Sequence, residues 1–295
     1  MYNYLLALIP ILLFFANPIS QLFAPSTPRI HRIPRPQLNE DLLALEQPSN
    51  YTCPPHPYTV HVVSRAPLVL YIEDFLTLEE RRHLLEISAP LYTPSTITHN
   101  AGQSLSHQPS VRDSEVALVP RTDAVRCIED RARAVQGWRR EAWIERLRVQ
   151  RYGVGGHYAH HFDWSSGRGG WGRVSSFMVW VGDGGDDGDD DDGGERERLV
   201  GGGTEFPLLR ALGDDDQRWC RFVECPAGEE DRGEEGGEDG KKGVVFKAVP
   251  GNAVYWENFM ADGSGRGYEE TWHAGLPVTK GVKVGLNIWT WGRIE

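Results

Sequence analysis

From residue 145 onward, apolar residues come in short runs separated by glycine. Leu147–Tyr152, Val174–Val181, Val244–Phe246, Ala253–Trp256 and Val282–Trp291 are rich in β-branched and aromatic side chains. Runs of this length with glycine punctuation predict short strands in a sandwich or jelly roll. Ahead of residue 145 the period changes. Pro67–Phe75 reads as one strand, and Thr77 then opens a helix as N-cap with Glu80 at N3. Leu78, Leu84, Leu85 and Ile87 give that helix its apolar stripe. A second helix is predicted from Thr122 to about Trp138, with Ala124, Val125, Ile128, Ala132 and Val135 turned inward. The expected fold class is mainly β with flanking helices.

The amino-terminal region has a different texture. Leu5–Phe23 is mostly apolar and uncharged, close to the roughly 20 residues that cross a bilayer. Residues 1–24 therefore read as a signal anchor or a signal peptide. The anchor is favoured because cleavage after Ala16 would meet Phe14, and cleavage after Ala24 would meet Pro25. Residues 25–60 form a Pro-rich stalk or linker, and 61–295 the folded domain, with helical support over 67–144 and the β core over 145–295. Orientation signals conflict. Arg29, Arg32 and Arg35 follow the apolar run, which by the positive-inside rule puts the domain in the cytosol. Asn50-Tyr51-Thr52 is a glycosylation sequon and points the other way.

The net charge of −11 leaves no general nucleic-acid footprint. Much of it sits in Asp183–Asp192 and Glu229–Asp239, both Gly-rich and free of apolar residues. Such runs bury too little to offset ordering entropy, so 183–198 and 228–242 are expected to be acidic loop insertions. The first lacks the ligand spacing of a Ca²⁺ loop. Of the four cysteines, Cys220 and Cys225 are spaced for a local bridge if the domain is lumenal. Cys127 reads as a buried free thiol.

The chemistry gathers on three residues. His161 and Asp163 stand at i and i+2 in Tyr158-Ala159-His160-His161-Phe162-Asp163-Trp164. On a β-strand these positions share a face, so an imidazole and a carboxylate can meet one ion. His273, in Thr271-Trp272-His273-Ala274-Gly275, is placed to come from a later strand. Two histidines and one carboxylate leave coordination positions open, as non-haem Fe(II) oxygen chemistry requires. A bare HxD in a chain with 10 histidines is common, and His157 and His160 read as structural or partly exposed. The surrounding residues make this HxD specific. Lys283 follows His273 by ten residues, Tyr152 precedes His161 by nine, and Gly201-Gly202-Gly203-Thr204-Glu205-Phe206-Pro207 lies between. That glycine run lacks the context of a phosphate loop and reads as a turn feeding a strand.

With these motifs in this order, the segment from Pro67 to Trp291 resembles the prolyl 4-hydroxylase branch (α-subunit-like) of the Fe(II)/2-oxoglutarate-dependent dioxygenases. The resemblance implies a double-stranded β-helix, or jelly-roll, core. It implies Fe(II) on His161, Asp163 and His273, with Lys283 pairing the distal carboxylate of 2-oxoglutarate beside Thr204. Tyr152 and Tyr158 would line the cosubstrate pocket, and Trp289 would stand near the substrate face. O₂ as oxidant, L-ascorbate as reductant of the iron, and succinate and CO₂ as products follow from the same likeness. Halogenating relatives replace the carboxylate with a small residue, so Asp163 favours hydroxylation. The implied partner is a proline-containing peptide or protein, hydroxylated at C4, in the endoplasmic reticulum lumen with a membrane-held amino terminus, or secreted. A dioxygenase for another residue or a small molecule, and a non-catalytic binding protein of the same fold, remain the alternatives.

Overall fold

A computed structural model of the chain describes residues 42–45, 51–98, 105–106, 108–166, 170–182, 198–210, 217–225 and 243–294. The core is two antiparallel sheets face to face. The larger contains β1 (Thr59–Arg65), β2 (Leu68–Glu73), β4 (Glu115–Leu118), β5 (Arg148–Tyr152), β7 (Trp171–Gly182), β10 (Ala253–Glu257) and β12 (Lys283–Arg293). Its order is β1-β2-β10-β7-β12-β5-β4, with Thr93–Pro94 at the far edge and Ala142–Ile144 paired to β12. The smaller sheet contains β3 (Arg112–Asp113), β6 (His157–His161), β8 (Thr204–Phe206), β9 (Val244–Phe246) and β11 (His273–Gly275), in the order β9-β8-β11-β6-β3.

The large sheet is covered on both faces, which explains its near-continuous apolar runs. Alternate residues of β7 divide between two cores. Phe177, Val179 and Val181 face the helices with Ile72, Tyr255, Leu286 and Ile288. Met178 and Trp180 face the small sheet with Tyr71, Phe206, Phe246 and Trp256. The same parity governs β12. Val284, Leu286 and Ile288 join the helix-side core, so Lys283 and Trp289 project between the sheets, where the site lies.

Helix α1 (Leu78–Ser88) begins as expected: Thr77 Oγ1 accepts from the Glu80 amide, and the Glu80 carboxylate accepts from the Thr77 amide. Leu84 is its deep anchor, Leu85 and Ile87 pack partly, and Leu78 lies exposed, contrary to its expected place in the stripe. Helix α2 (Asp123–Val135) is capped by Thr122 and buries Val125, Ile128 and Ala132. It stops three residues before Trp138. Gly137 and Trp138 both adopt positive φ, 72° and 54°, which ends the helical path and leaves Trp138 exposed. Arg131 of α2 clamps the Glu80 carboxylate and the Phe75 carbonyl, joining the two helices.

Several expectations need correction. The region expected to be helical support, 67–144, carries β3 and β4 in addition to β2, the strand expected over Pro67–Phe75. Part of the expected stalk is docked: Leu43 and Ala44 are buried, Leu43 bridges Glu145, and Tyr51 donates to Asp130. Cys127 is not a free thiol but is bonded to Cys53, while Cys220 is bonded to Cys225 as expected. Residues 1–41, 183–197 and 226–242, which hold the apolar segment and nearly all of both acidic insertions, lie outside the described residues. Among the described residues no helix is long and apolar enough to cross a membrane.

Candidate metal and cosubstrate site

β6 and β11 lie side by side with His161 opposite His273. This register brings the two imidazoles together, their ring centroids 4.3 Å apart. Asp163 does not share the strand with His161 as the i, i+2 reading expected. β6 ends at His161, and Asp163 opens a 3₁₀ turn, Asp163–Ser166. Trp164 secures that turn by donating its indole N–H toward the Tyr268 carbonyl and Thr271 Oγ1. The carboxylate still reaches the same point: its oxygens stand 3.7 Å from His161 Nε2 and 4.0 Å from His273 Nε2. One donor atom from each of the three residues lies within 4.8 Å of the others.

The donor set is prepared for a cation. His161 Nδ1 lies 2.9 Å from the Ala159 carbonyl and His273 Nδ1 2.8 Å from that of Thr271. A carbonyl only accepts, so each Nδ1 carries the proton and each Nε2 offers a lone pair. Burial pushes the His161 pKa down to about 3, helped by His273, and burial also lowers that of His273. Both rings are neutral. Burial alone would raise Asp163, but His273, His161 and Arg173 together hold its carboxyl below the usual range. Two neutral imidazoles and one carboxylate, all buried or half-buried, fit a borderline cation such as Fe(II).

Around Asp163 the structure gives Trp289 a definite role and reveals two residues, Arg173 and Glu145, that the sequence did not single out. Trp289 donates its indole N–H to Asp163 Oδ2 at 2.9 Å. Its ring lies 3.8 Å beneath the guanidinium of Arg173, which is itself held by Glu145 through two hydrogen bonds of 2.7 and 3.1 Å. Arg173 opposes burial through the Glu145 carboxylate, and its pKa is raised. The only signal for this pair was a charge at the mouth of each apolar run, a position that usually faces solvent.

The second half of the site surrounds Lys283, which is 2% exposed. Among the described residues no carboxylate pairs with it, and burial lowers its pKa to about 7. Tyr152, its cross-strand neighbour, presents its ring 5.3 Å from Nζ. Gly202 and Gly275 make room for the side chain. A Cβ on Gly202 would stand 3.1 Å from Lys283 Cδ, and one on Gly275 would stand 3.9 Å from Nζ. Gly202 also has a φ of +69°, which other residues rarely adopt. Thr204 sits opposite Gly275, and its buried Oγ1 finds no hydrogen-bond partner among the described residues. Tyr158 stacks on His161 with centroids 3.8 Å apart, and the Arg112 guanidinium lies over the Tyr158 ring at 4.6 Å. One Arg112 nitrogen and Gln150 Nε2 also lack partners among the described residues. Unpaired buried donors around an uncompensated ammonium are costly unless an anion accepts from them. A dicarboxylate fits this chamber. His157 and His160 stay out of it: His157 binds the Gly155 and Ser110 carbonyls, and His160 pairs with Glu205.

Residues 147–291 match the model of the 2OG-Fe(II) oxygenase superfamily. This segment belongs to that superfamily. No curated protein matches the chain. Among solved structures, the chain is similar to the viral collagen prolyl hydroxylase of Paramecium Bursaria Chlorella virus-1 in complex with 2-oxoglutarate. The identity is 21%, the match covers 76% of this chain and 96% of that one, and the TM-score is 0.47. A Pseudomonas putida prolyl-4-hydroxylase is 14% identical over 76% of this chain and 92% of its own, with a TM-score of 0.41. A Trichoplax adhaerens prolyl hydroxylase, bound to a hypoxia inducible factor peptide fragment, is 12% identical over 76% and 83%, with a TM-score of 0.47. Membership of the oxygenase superfamily implies Fe(II), 2-oxoglutarate and O₂ as the working set.

Proposed function

We propose that this domain is a Fe(II)- and 2-oxoglutarate-dependent dioxygenase that hydroxylates peptidyl proline at C4 and releases succinate and CO₂. His161 Nε2, His273 Nε2 and an Asp163 oxygen would hold the iron. When bound, the iron supplies O₂ activation coupled to oxidative decarboxylation of 2-oxoglutarate, the chemistry that oxidises an unactivated C–H bond. Lys283 and Thr204 would bind the distal carboxylate of the cosubstrate, with Tyr152 and Tyr158 as walls. Trp289 holds Asp163 in position, and the Ala159 and Thr271 carbonyls fix both histidine tautomers. Phe206 and Trp256, packed against His273, exclude water from that side.

The observation that carries the reading is the buried ammonium of Lys283, without a carboxylate partner among the described residues, in the same chamber as three converging donor atoms. It calls for an anion as well as a metal. Proline as acceptor is supported by the order and spacing of the motifs from Tyr152 to Trp289, and L-ascorbate as reductant follows the same likeness. A lumenal domain held by the amino-terminal apolar segment agrees with two disulfides, which persist in oxidising compartments. The test is succinate release from 2-oxoglutarate with Fe(II), with and without a proline-rich peptide. Peptide-stimulated release with hydroxyproline formation supports the reading. Release without peptide stimulation points to a small-molecule substrate, and no release at all to a binding protein.

A further inference from the structure

The three candidate ligands are not held in the same way. His161 and His273 sit on paired strands, whereas Asp163 hangs on a turn outside them. A turn by itself leaves a carboxylate several orientations. What holds this turn is the segment that follows β10. Asn258, fully buried, donates its side-chain N–H groups to the Arg173 carbonyl and to Ser176 Oγ on β7, and its amide to the Val174 carbonyl. The Asn258 carbonyl accepts from the Tyr268 amide, and the Tyr268 carbonyl accepts from the Thr271 hydroxyl at 2.7 Å. A carbonyl cannot donate, so the Thr271 proton is committed to it. The lone pairs of Oγ1 are then free to accept the Trp164 indole N–H, 3.2 Å away. Gly267 completes the seat. A Cβ there would stand 2.3 Å from Trp164 Cε2, so the indole rests on bare backbone.

We infer that Thr271 is a positioning residue that couples two of the metal ligands to each other, acting on Asp163 through Trp164. Its hydroxyl receives the indole that fixes the Asp163 turn, and its carbonyl accepts from His273 Nδ1. One buried residue thus orients both a carboxylate and an imidazole. Through Tyr268 and Asn258 this brace is anchored on β7 of the large sheet, not on the small sheet that bears the histidines. Valine would fill nearly the same volume at this position, so what the hydroxyl contributes is its pair of hydrogen bonds. Removing it leaves a buried indole N–H with only the longer contact to the Tyr268 carbonyl, at 3.3 Å. Ligands tied together before a cation arrives need no ordering when it binds, which favours affinity. The inference rests on the metal site of the hydroxylase reading above and not on its substrate.

The test uses the full chain with Co(II) alone as the probe, so no turnover is needed. Titration followed by visible absorption gives the affinity and the ligand-field spectrum of the bound ion. Thr271→Val, which removes the hydroxyl and keeps the carbonyl, is expected to weaken Co(II) binding about tenfold and to alter that spectrum. Thr271→Ser, which keeps the hydroxyl, is expected to hold the original affinity. Trp164→Phe keeps a ring but loses the N–H, and is expected to weaken binding at least as much as Thr271→Val. The double variant is expected to bind no more weakly than Trp164→Phe, because both changes remove the same bond. Gly267→Ala, which drives a methyl into the indole, is expected to reproduce the loss with Thr271 intact. Ser175→Ala is the control. It removes an equally buried hydroxyl, bonded to Gln136 away from the site, and is expected to leave Co(II) affinity unchanged. Circular dichroism confirms that each variant is folded, and Thr271→Val and Trp164→Phe each suffice should the other fail to fold. Equal Co(II) affinity in the original protein and Thr271→Val, a loss that Thr271→Ser shares, or additive losses in the double variant overturns the brace and leaves the metal site standing. No Co(II) binding by the original protein overturns the metal site and the brace with it.

Discussion

The two sheets do different work with different materials. The large sheet is built from long strands whose side chains are apolar on both faces, such as Phe177 and Trp180 on β7. The small sheet is built from strands of two to five residues, and its inner face carries His161, His273 and Thr204. The first supplies stability and position, and the second supplies chemistry. They meet on β12, which buries Leu286 and Ile288 on one face and presents Lys283 and Trp289 on the other. Damage to one sheet is therefore expected to separate from damage to the other.

The largest expected effect falls on the small sheet. Asp163→Ala and His273→Ala are each expected to abolish turnover and weaken Fe(II) binding, with near-native circular dichroism. Normal activity in either variant breaks the division. The converse change is Phe177→Ala, which empties a fully buried position in the large sheet. It is expected to cost about 3–5 kcal/mol of stability, measured by denaturant unfolding. The folded fraction is expected to keep its affinity for Fe(II).

Next in size is Lys283→Ala. Leaving one partner of a buried ion pair alone costs about 3–5 kcal/mol, so the KM for 2-oxoglutarate is expected to rise by about a hundredfold or more. Fe(II) binding is expected to stay nearly constant, and Lys283→Arg to recover only part of the loss because the guanidinium fork is larger.

A smaller and reversible effect comes from pH. Burial disfavours the charge of Lys283 and lowers its pKa from the ordinary 10.5 to about 7. Between those values the unfolded chain binds the extra proton, so the cost of burying Lys283 is absent above 10.5 and complete below about 7. The stability of the ligand-free protein is expected to rise with pH across that window relative to Lys283→Met. Cosubstrate affinity runs the opposite way. It is expected to be greatest where Lys283 is already charged and to fall above pH 7 by up to about tenfold per unit. Calorimetry in buffers of different ionisation enthalpy would detect the proton taken up on binding. The smallest effect is expected from shortening Asp183–Asp192 to a tight turn, which ought to preserve 2-oxoglutarate turnover. A large loss would tie that insertion to substrate capture.

The contrast between the sheets also explains what the sequence revealed. β5, β7, β10 and β12 were legible because burial on both faces writes long apolar runs. β3 was not, since two residues hold no period, and His157–His161 reads as polar; β8 was legible only as the strand fed by the Gly201–Gly203 turn. Apart from β8 and from β9, read from the run Val244–Phe246, the small sheet was visible only through its chemistry, in the spacing of His161, Asp163, His273 and Lys283. Even there the local geometry differed, because Asp163 reaches the site from a turn fixed by Trp164 rather than from the strand. Glu145 and Arg173 escaped notice because their meaning depends on a contact across 28 residues. The Cys53–Cys127 bond, spanning 74 residues, left no local trace.

The central claim is that one chamber holds a metal on the small sheet and an anion on Lys283 of the large sheet. Anaerobic calorimetric titration of 2-oxoglutarate into Fe(II)-loaded protein tests it most directly. The account predicts saturable one-to-one binding that is weakened about a hundredfold in Lys283→Ala while that variant still binds Fe(II). It also predicts little or no binding when Asp163→Ala has removed the metal. Equal affinity for 2-oxoglutarate in the original protein and Lys283→Ala, or no binding to the original protein with iron in place, would contradict it.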